Sequence, residues 1–403
     1  MTERQNAGPT FDGRVRGLLH GVAFGDAIGA PVEKLTPAEI RDMYGWVGSL
    51  DNAWHRTSRN PAGGNGRVRG NGIVTDDTLM TLALMSVYNE VRRHLDAWDM
   101  ADGMVRQIAW VRRYVPELQR EAPLIERLFY PEKWIFQRHQ LAACDPRQGG
   151  IGNMVNCGAA MYIAPVGVVN ACDPQAAYDE AIAFASGHQQ SYGLEAAGVL
   201  AGAVAAAFIP GTSIDAVAEK AYHLAKDGTR AAIGEIAEAA TALRDKGAEH
   251  DEVVATFHAR IRPFSPLGDD LDHTAQKVGR VTANYQPSRF FSIEELPLAM
   301  GFAIVAGGDF RRAVEAGVNS GRDADSIGVM AGAILGAMHG EAVIDPLEAA
   351  QIDKINRLDL AGEAETFSRT ARTIFEEAEA RNLTITRERA ALSNCNATED
   401  GHV

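Results

Sequence analysis

Cysteine is scarce in this chain. Cys144, Cys157, Cys172 and Cys395 are the four among 403 residues, they show no CxxC spacing, and they are too few to staple a protein of this length, so a disulfide framework is excluded. Free thiols of this kind suit a reducing cytoplasm, which is the expected location. A dense run of lysine and arginine is also missing, and 39 basic against 53 acidic residues leave a formal net charge of −14. A protein that grips nucleic acid by its phosphates needs the opposite field, so small ligands are expected and nucleic acid is not. The start, Met1–Thr10, is polar and shows no apolar core of a secretory signal. The most apolar stretches, Ala196–Pro210 and Ile327–Met338, are too short and too rich in Ala and Gly to span a bilayer, so no membrane is expected either. Alternating runs of β-branched residues are almost absent and no fixed-period repeat occurs, which excludes a parallel-sheet enzyme and a solenoid.

What is present is helical periodicity. Apolar residues recur at three- and four-residue spacing in Phe11–Ala27, Leu79–His94, Met104–Tyr114, Pro174–Ser186, Leu194–Phe208, Ile214–Lys226, Ala231–Lys246, Glu294–Ala306, Ala324–Met338 and Pro346–Ile355. With 46% hydrophobic residues a large core is available. The expectation is an all-α protein: a single compact multi-helix domain over residues 11–385, with polar, flexible termini at 1–10 and 386–403.

Two acidic clusters stand far apart, Thr75-Asp76-Asp77-Thr78 and Asp323-Ala324-Asp325-Ser326. Each follows a glycine and opens an apolar helix pattern. Carboxylates at a helix start complement the macrodipole, and Thr75 or Asp323 suits an N-cap. The same residues are hard oxygen ligands for Mg²⁺, Mn²⁺ or Ca²⁺, and carboxylates gathered in one pocket need cations to be tolerable. A third cluster, Gly268–His273, reads as a helix start after Pro266. Two loops also stand out. Asn52–Gly72 carries Arg56, Arg59, Arg67 and Arg69 among glycines, either as a solvated connector or as a lid whose guanidinium forks hold a phosphate. Pro146–Gly158 contains Gly149-Gly150-Ile151-Gly152-Asn153, whose backbone N–H groups can approach a ligand closely, although the GxGxxG spacing is lacking.

Gly17, Gly21, Gly25 and Gly29 fall at four-residue intervals and make one smooth helix stripe for close backbone packing. The stripe ends before Pro31, which breaks the helix and releases Glu33, a candidate general base, into a turn. Gly25-Asp26-Ala27-Ile28-Gly29 with Glu33, Thr75–Met80, Gly152-Asn153 with Gly158–Met161 and Pro165-Val166-Gly167, and Asn319–Ser326 together resemble the ordered motifs of the ADP-ribosylglycohydrolases, the superfamily of the dinitrogenase-reductase-activating glycohydrolase. The likeness runs from about Gly13 to Gly340.

That resemblance implies an all-α fold with a central two-metal site, two divalent cations, Mg²⁺ or Mn²⁺, and cleavage at the anomeric ribose carbon of a small-molecule or protein-linked ADP-ribosyl substrate. By position it implies Thr75, Asp76, Asp77, Asp323, Asp325 and Ser326 as metal ligands, and Glu33, Asp77 and Asp323 as the catalytic set. Gly152, Asn153, Gly158, Met161, His188 and Arg322 fall where substrate contacts are expected. The sequence departs from the family pattern at Ser326, usually threonine, at Arg322, commonly glycine, and at Tyr162, often arginine, and it lacks an aspartate just before the Ile-Gly-Asn run. Two other readings stand beside this one: an N-glycosidase for a small ribosylated metabolite or nucleoside, and a non-catalytic ADP-ribose-binding protein.

Overall fold

The computed structural model describes residues 8–128, 130–154, 157–264 and 293–395. Its helices of ten residues or more are, in chain order, α1 (Phe11–Gly29), α2 (Asp76–Val91), α3 (Pro174–Ala185), α4 (Ser191–Ala207), α5 (Ile214–Leu224), α6 (Asp227–Lys246), α7 (His250–Ile261), α8 (Glu295–Val305), α9 (Phe310–Asn319), α10 (Ala324–His339), α11 (Pro346–Asn356) and α12 (Leu360–Cys395). Several starts are fixed locally: Thr10, Asp173, Ser213 and Asp309 each accept a hydrogen bond from a backbone N–H of the first turn. These contacts satisfy donors that a helix start otherwise leaves unpaired. The expected all-α, single-domain architecture is the observed one. The Gly268–His273 cluster lies outside the described residues.

The glycine stripe of α1 meets a second stripe on α10, and the two helices run antiparallel in direct backbone contact. A Cβ on Gly17 would lie 2.3 Å from the carbonyl carbon of Gly340, one on Gly21 2.2 Å from the oxygen of Gly332, and one on Gly25 2.3 Å from the carbonyl carbon of Gly328. Gly328, Gly332, Gly336 and Gly340 repeat the four-residue spacing of α1, so each side of the seam requires the other. Residues Ala324–Val343 are apolar and long enough to cross a bilayer by composition, yet most of them are buried inside the protein. Their apolarity builds the core.

One expectation is corrected. Met104–Tyr114 is not one helix: the helical turns end at Trp110, and Arg112–Val115 (β1) pairs antiparallel with Arg120–Pro123 (β2), Arg112 opposite Pro123 and Val115 opposite Arg120. Pro116 disfavours helix in the residue before it, and Tyr114 and Val115 favour extended backbone. The C-terminal helix runs on through residues 386–395 of the tail expected to be polar and flexible, with side chains 381–392 exposed.

Candidate active site

The seam delivers its last glycine to the second acidic cluster. A Cβ on Gly29 would lie 2.4 Å from Cα of Asp325, so the end of α1 rests on the first turn of α10. Beyond Gly29 the chain turns, and Glu33 leaves this turn as the break at Pro31 requires. Lys34 N donates to Arg322 O at 2.7 Å and Arg322 N to Leu35 O at 3.1 Å, which staples the turn to the loop before α10. Lys34 and Arg322 both adopt positive φ, 73° and 65°, a strained backbone held by this mutual pairing.

The first cluster is set by Asp26 of α1. Its fully buried carboxylate accepts from Thr75 N (2.8 Å), Thr78 N (3.1 Å) and Thr78 Oγ1 (2.5 Å). Asp26 therefore caps α2, whereas the Thr75 and Asp323 side chains, the expected caps, make no cap hydrogen bond. Instead, Thr75 Oγ1 points to Asp77 Oδ2 at 3.4 Å. The two clusters meet where Ser326 Oγ donates to Asp77 Oδ1 at 3.1 Å.

The resulting group is dense in negative charge. Glu33, Asp323 and Asp325 offer ligand oxygens all within 4.8 Å of one another, and Asp323 is shared with a second group of the same spacing that includes Cys157 and Glu295. Burial pushes the Asp77 carboxyl well above its ordinary range, reinforced by Asp26, Asp76 and Asp323, and Asp325 is raised by burial, Glu33, Asp323 and Asp77. Burial lifts Asp26 to about 6 against the hydrogen bonds it accepts. Convergent, buried, crowded carboxylates with a hydroxyl are the donor set of a hard divalent cation, whose charge would relieve this repulsion.

Glu33, Asp76, Asp77, Asp323 and Asp325 line a cavity of about 340 Å³ together with Lys34, Arg56, Arg67, Arg69 and Arg127, and with Trp54, Cys157 and Met161. The cations hold different commitments. Arg69 donates from Nη1 to Glu33 (2.5 Å) and from Nε to Glu117 (2.6 Å). Arg127 pairs with Asp76 and with the second oxygen of Glu117. Arg56 and Arg69 lie over the Trp54 ring at 5.5 and 5.6 Å. Arg67 donates to the carbonyl of Arg127 at 2.9 Å, and burial and the Arg127 charge lower its pKa. Arg59 points away from the cavity, toward Glu39 and Met43. The loop that reads either as a solvated connector or as a lid is fastened through Arg69 and an Ala53–Gly70 bridge.

Of the expected site residues, Glu33, Asp76, Asp77, Asp323, Asp325, Ser326 and Met161 line this cavity, and Thr75 lies directly behind Asp77. The others do not line it. His188 is fully buried, 2.7 Å from the Tyr162 hydroxyl and stacked on its ring, and burial holds it down to about 3. Asn153 spends its amide on the His188 carbonyl at 2.8 Å. Glycines of the 149–153 loop serve packing: a Cβ on Gly150 would lie 2.4 Å from Gln189 O, and Gly152 takes φ 87° to turn the chain. Gly158 is buried outside the cavity wall. Arg322 turns its guanidinium away onto Glu294, with N–O distances of 2.8 to 3.0 Å. Its long side chain fits a position where glycine is usual because it pairs outside the cavity. Sequence reasoning missed Asp26, Glu117, Arg127, Lys34, Trp54, Cys157 and Glu295. Asp26 sat inside a quoted motif, whereas nothing local marks Glu117 or Arg127.

A family model described as ADP-ribosylglycohydrolase matches residues 7–382. An uncharacterized protein of Escherichia coli (strain K12), YegU, is 27% identical over 353 residues, covering 86% of this chain and 93% of that protein. An uncharacterized protein of Archaeoglobus fulgidus is 27% identical over 339 residues, 80% of this chain and 87% of its own length. Among solved structures, one titled as an ADP-ribosylglycohydrolase-related protein complex superposes with a TM-score of 0.53 at 20% identity, over 90% of this chain and 99% of that chain. At that identity the superposition speaks for the fold alone.

Proposed function

This chain belongs to the ADP-ribosylglycohydrolase family, and we propose that it is a metal-dependent hydrolase cleaving the bond at the anomeric ribose carbon of an ADP-ribosylated compound. The observation that carries this reading is the meeting of Asp77 and Ser326, which brings the two acidic clusters from distant parts of the chain together.

Asp76, Asp77, Asp323, Asp325 and Ser326, with Thr75 behind them, are the residues that would hold two divalent cations, Mg²⁺ or Mn²⁺. Such cations supply Lewis-acid stabilisation of developing negative charge and an anchor for ribose hydroxyls. Glu33 stands beside Asp323 and Asp325, takes the proton of the attacking water as it adds to the anomeric carbon, and relays it to the departing group, which restores the carboxylate. The carboxylates around it favour the positive, oxocarbenium-like character of the ribosyl carbon as the glycosidic bond lengthens. Burial of these carboxylates strengthens both effects, because less water screens them. Arg67, which lines the same cavity and pairs with no carboxylate among the described residues, would meet the diphosphate.

The cavity volume supports a second reading. About 340 Å³ lies near the small end of the roughly 300–1,000 Å³ common for ligand sites. A small ribosylated metabolite or nucleoside fits such a space better than a protein-linked ribosyl group. A purely binding protein is disfavoured because clustered buried carboxylates are costly unless they hold cations. The test is a product assay on free and protein-linked ADP-ribosyl compounds and on nucleosides, with Mg²⁺, Mn²⁺ or chelator. Release of ADP-ribose only with a divalent ion is expected; turnover of neutral nucleosides alone selects the second reading, and no turnover overturns both.

A further inference from the structure

Glu117 belongs to no motif and lies in the turn between β1 and β2, yet its carboxylate is fully buried behind the cavity. Each of its oxygens takes a different arginine by the same atom: Oε1 accepts from Arg69 Nε and Oε2 from Arg127 Nε. Each arginine then extends Nη1 to a carboxylate of the cavity, Arg69 to Glu33 and Arg127 to Asp76. The result is an alternating chain, Glu33, Arg69, Glu117, Arg127, Asp76. The hairpin turn is itself tied to the arginine loop, since Val68 N donates to the Glu117 carbonyl at 2.8 Å.

We infer that Glu117 is a positioning residue that sets Glu33 and Asp76 together. The inference rests on the cation-binding reading above. A guanidinium is planar and rigid, so once Nε is fixed the direction of Nη1 is fixed as well. Glu117 does this for both arginines at once. Its charge also balances them: without it, two buried guanidiniums would bear on Glu33 and Asp76 alone and draw those carboxylates from the ions they face. An ordinary stabilising ion pair needs neither this symmetry nor two ends in the same cavity.

The test is calorimetric titration of the full chain with Mn²⁺, which requires no substrate. Removing a group that orients metal ligands commonly weakens affinity about 10- to 100-fold. Glu117→Gln, which keeps size and loses charge, should raise the Mn²⁺ Kd by that factor. Arg127→Lys, which keeps charge and loses the fork, should do the same, and combining the two should add little because they break one chain. Should Glu117→Gln fail to fold, Arg127→Lys carries the test alone. Wild-type Mn²⁺ affinity in a folded Glu117→Gln or Arg127→Lys protein overturns the inference, as does full additivity. A wild-type protein that binds neither Mn²⁺ nor Mg²⁺ overturns the cation reading and this inference with it. A protein that binds Mn²⁺ but cleaves no ribosyl compound loses only the reading of its reaction, and the Kd comparison still decides the role of Glu117.

Discussion

The Ser326 hydroxyl donates to Asp77 at 3.1 Å across 249 positions of sequence. The contact brings the first turns of α2 and α10 face to face, so the positive ends of both helix dipoles bear on one group of carboxylates. Two dipole ends supply partial charges of roughly half a unit each, which cannot balance the buried carboxylates without a cation.

Asp77→Asn removes one of these crowded charges and one ligand. The chelator-treated variant should therefore melt at a higher temperature than chelator-treated wild type, while losing the stabilisation by Mn²⁺. For wild type that stabilisation should reach about 2.7 kcal/mol when the ion stands at 100 times its Kd. Thermal unfolding with and without Mn²⁺ measures both effects. Equal Mn²⁺ stabilisation in the two proteins would exclude Asp77 as a ligand.

Glu33→Gln keeps the side-chain volume and removes the proton acceptor. Substrate binding should persist while kcat falls by roughly two to four orders of magnitude. A kcat within a few-fold of wild type assigns the proton transfer elsewhere.

Arg67 and Arg59 share a loop but not a destination. Arg67→Gln should raise KM for a diphosphate-bearing substrate about tenfold or more with a smaller change in kcat, the mark of lost uniform binding. Arg59→Gln should leave both within twofold, since its contacts are Glu39 and Met43 outside the cavity. Equal behaviour of the two variants would show that the cavity does not sort the arginines as described.

Gly29 packs against the backbone of Asp325, with a Cβ placed 2.4 Å from its Cα. Gly29→Ala should cost about 1 to 3 kcal/mol through overpacking and also weaken Mn²⁺ binding, because the displaced atoms carry a ligand. Gly21→Ala, at the middle of the seam, should lower stability similarly and leave Mn²⁺ affinity closer to wild type. Urea unfolding and ion titration of the pair separate the two effects.

His188 gives the protein an acid-sensitive core. Its folded value of about 3 lies below the ordinary 6.5, so between these pH values the unfolded chain binds a proton that the native protein excludes. Stability from this group is whole above about 6.5, declines as pH falls and is lost below about 3. From pH 7 to 4.5 the decline should be about 2 to 3 kcal/mol. His188→Gln should reduce the fall of the urea midpoint over this range by its own share, while buried His20, held at about 4, keeps a similar share. An unchanged slope would show that His188 is not the sensitive group.

The residues themselves determined the helical class, the two acidic clusters and the glycine stripe, because each is a local pattern with a local cause: apolar periodicity, carboxylates at helix starts, and absent side chains at four-residue spacing. Glu33, Asp77 and Asp325 were legible for the same reason. What the stripe packs against was not stated by its own spacing, although Gly328, Gly332, Gly336 and Gly340 repeat it on the partner helix. Tertiary structure alone decided that His188 faces Tyr162 and Arg322 faces Glu294, since a side chain's direction depends on neighbours distant in sequence. It also decided that Glu117, in the turn between β1 and β2, lies buried between Arg69 and Arg127. A buried charge is set by which partners reach it, and the two that reach Glu117 come from segments 48 and 10 positions away, a separation no local pattern encodes.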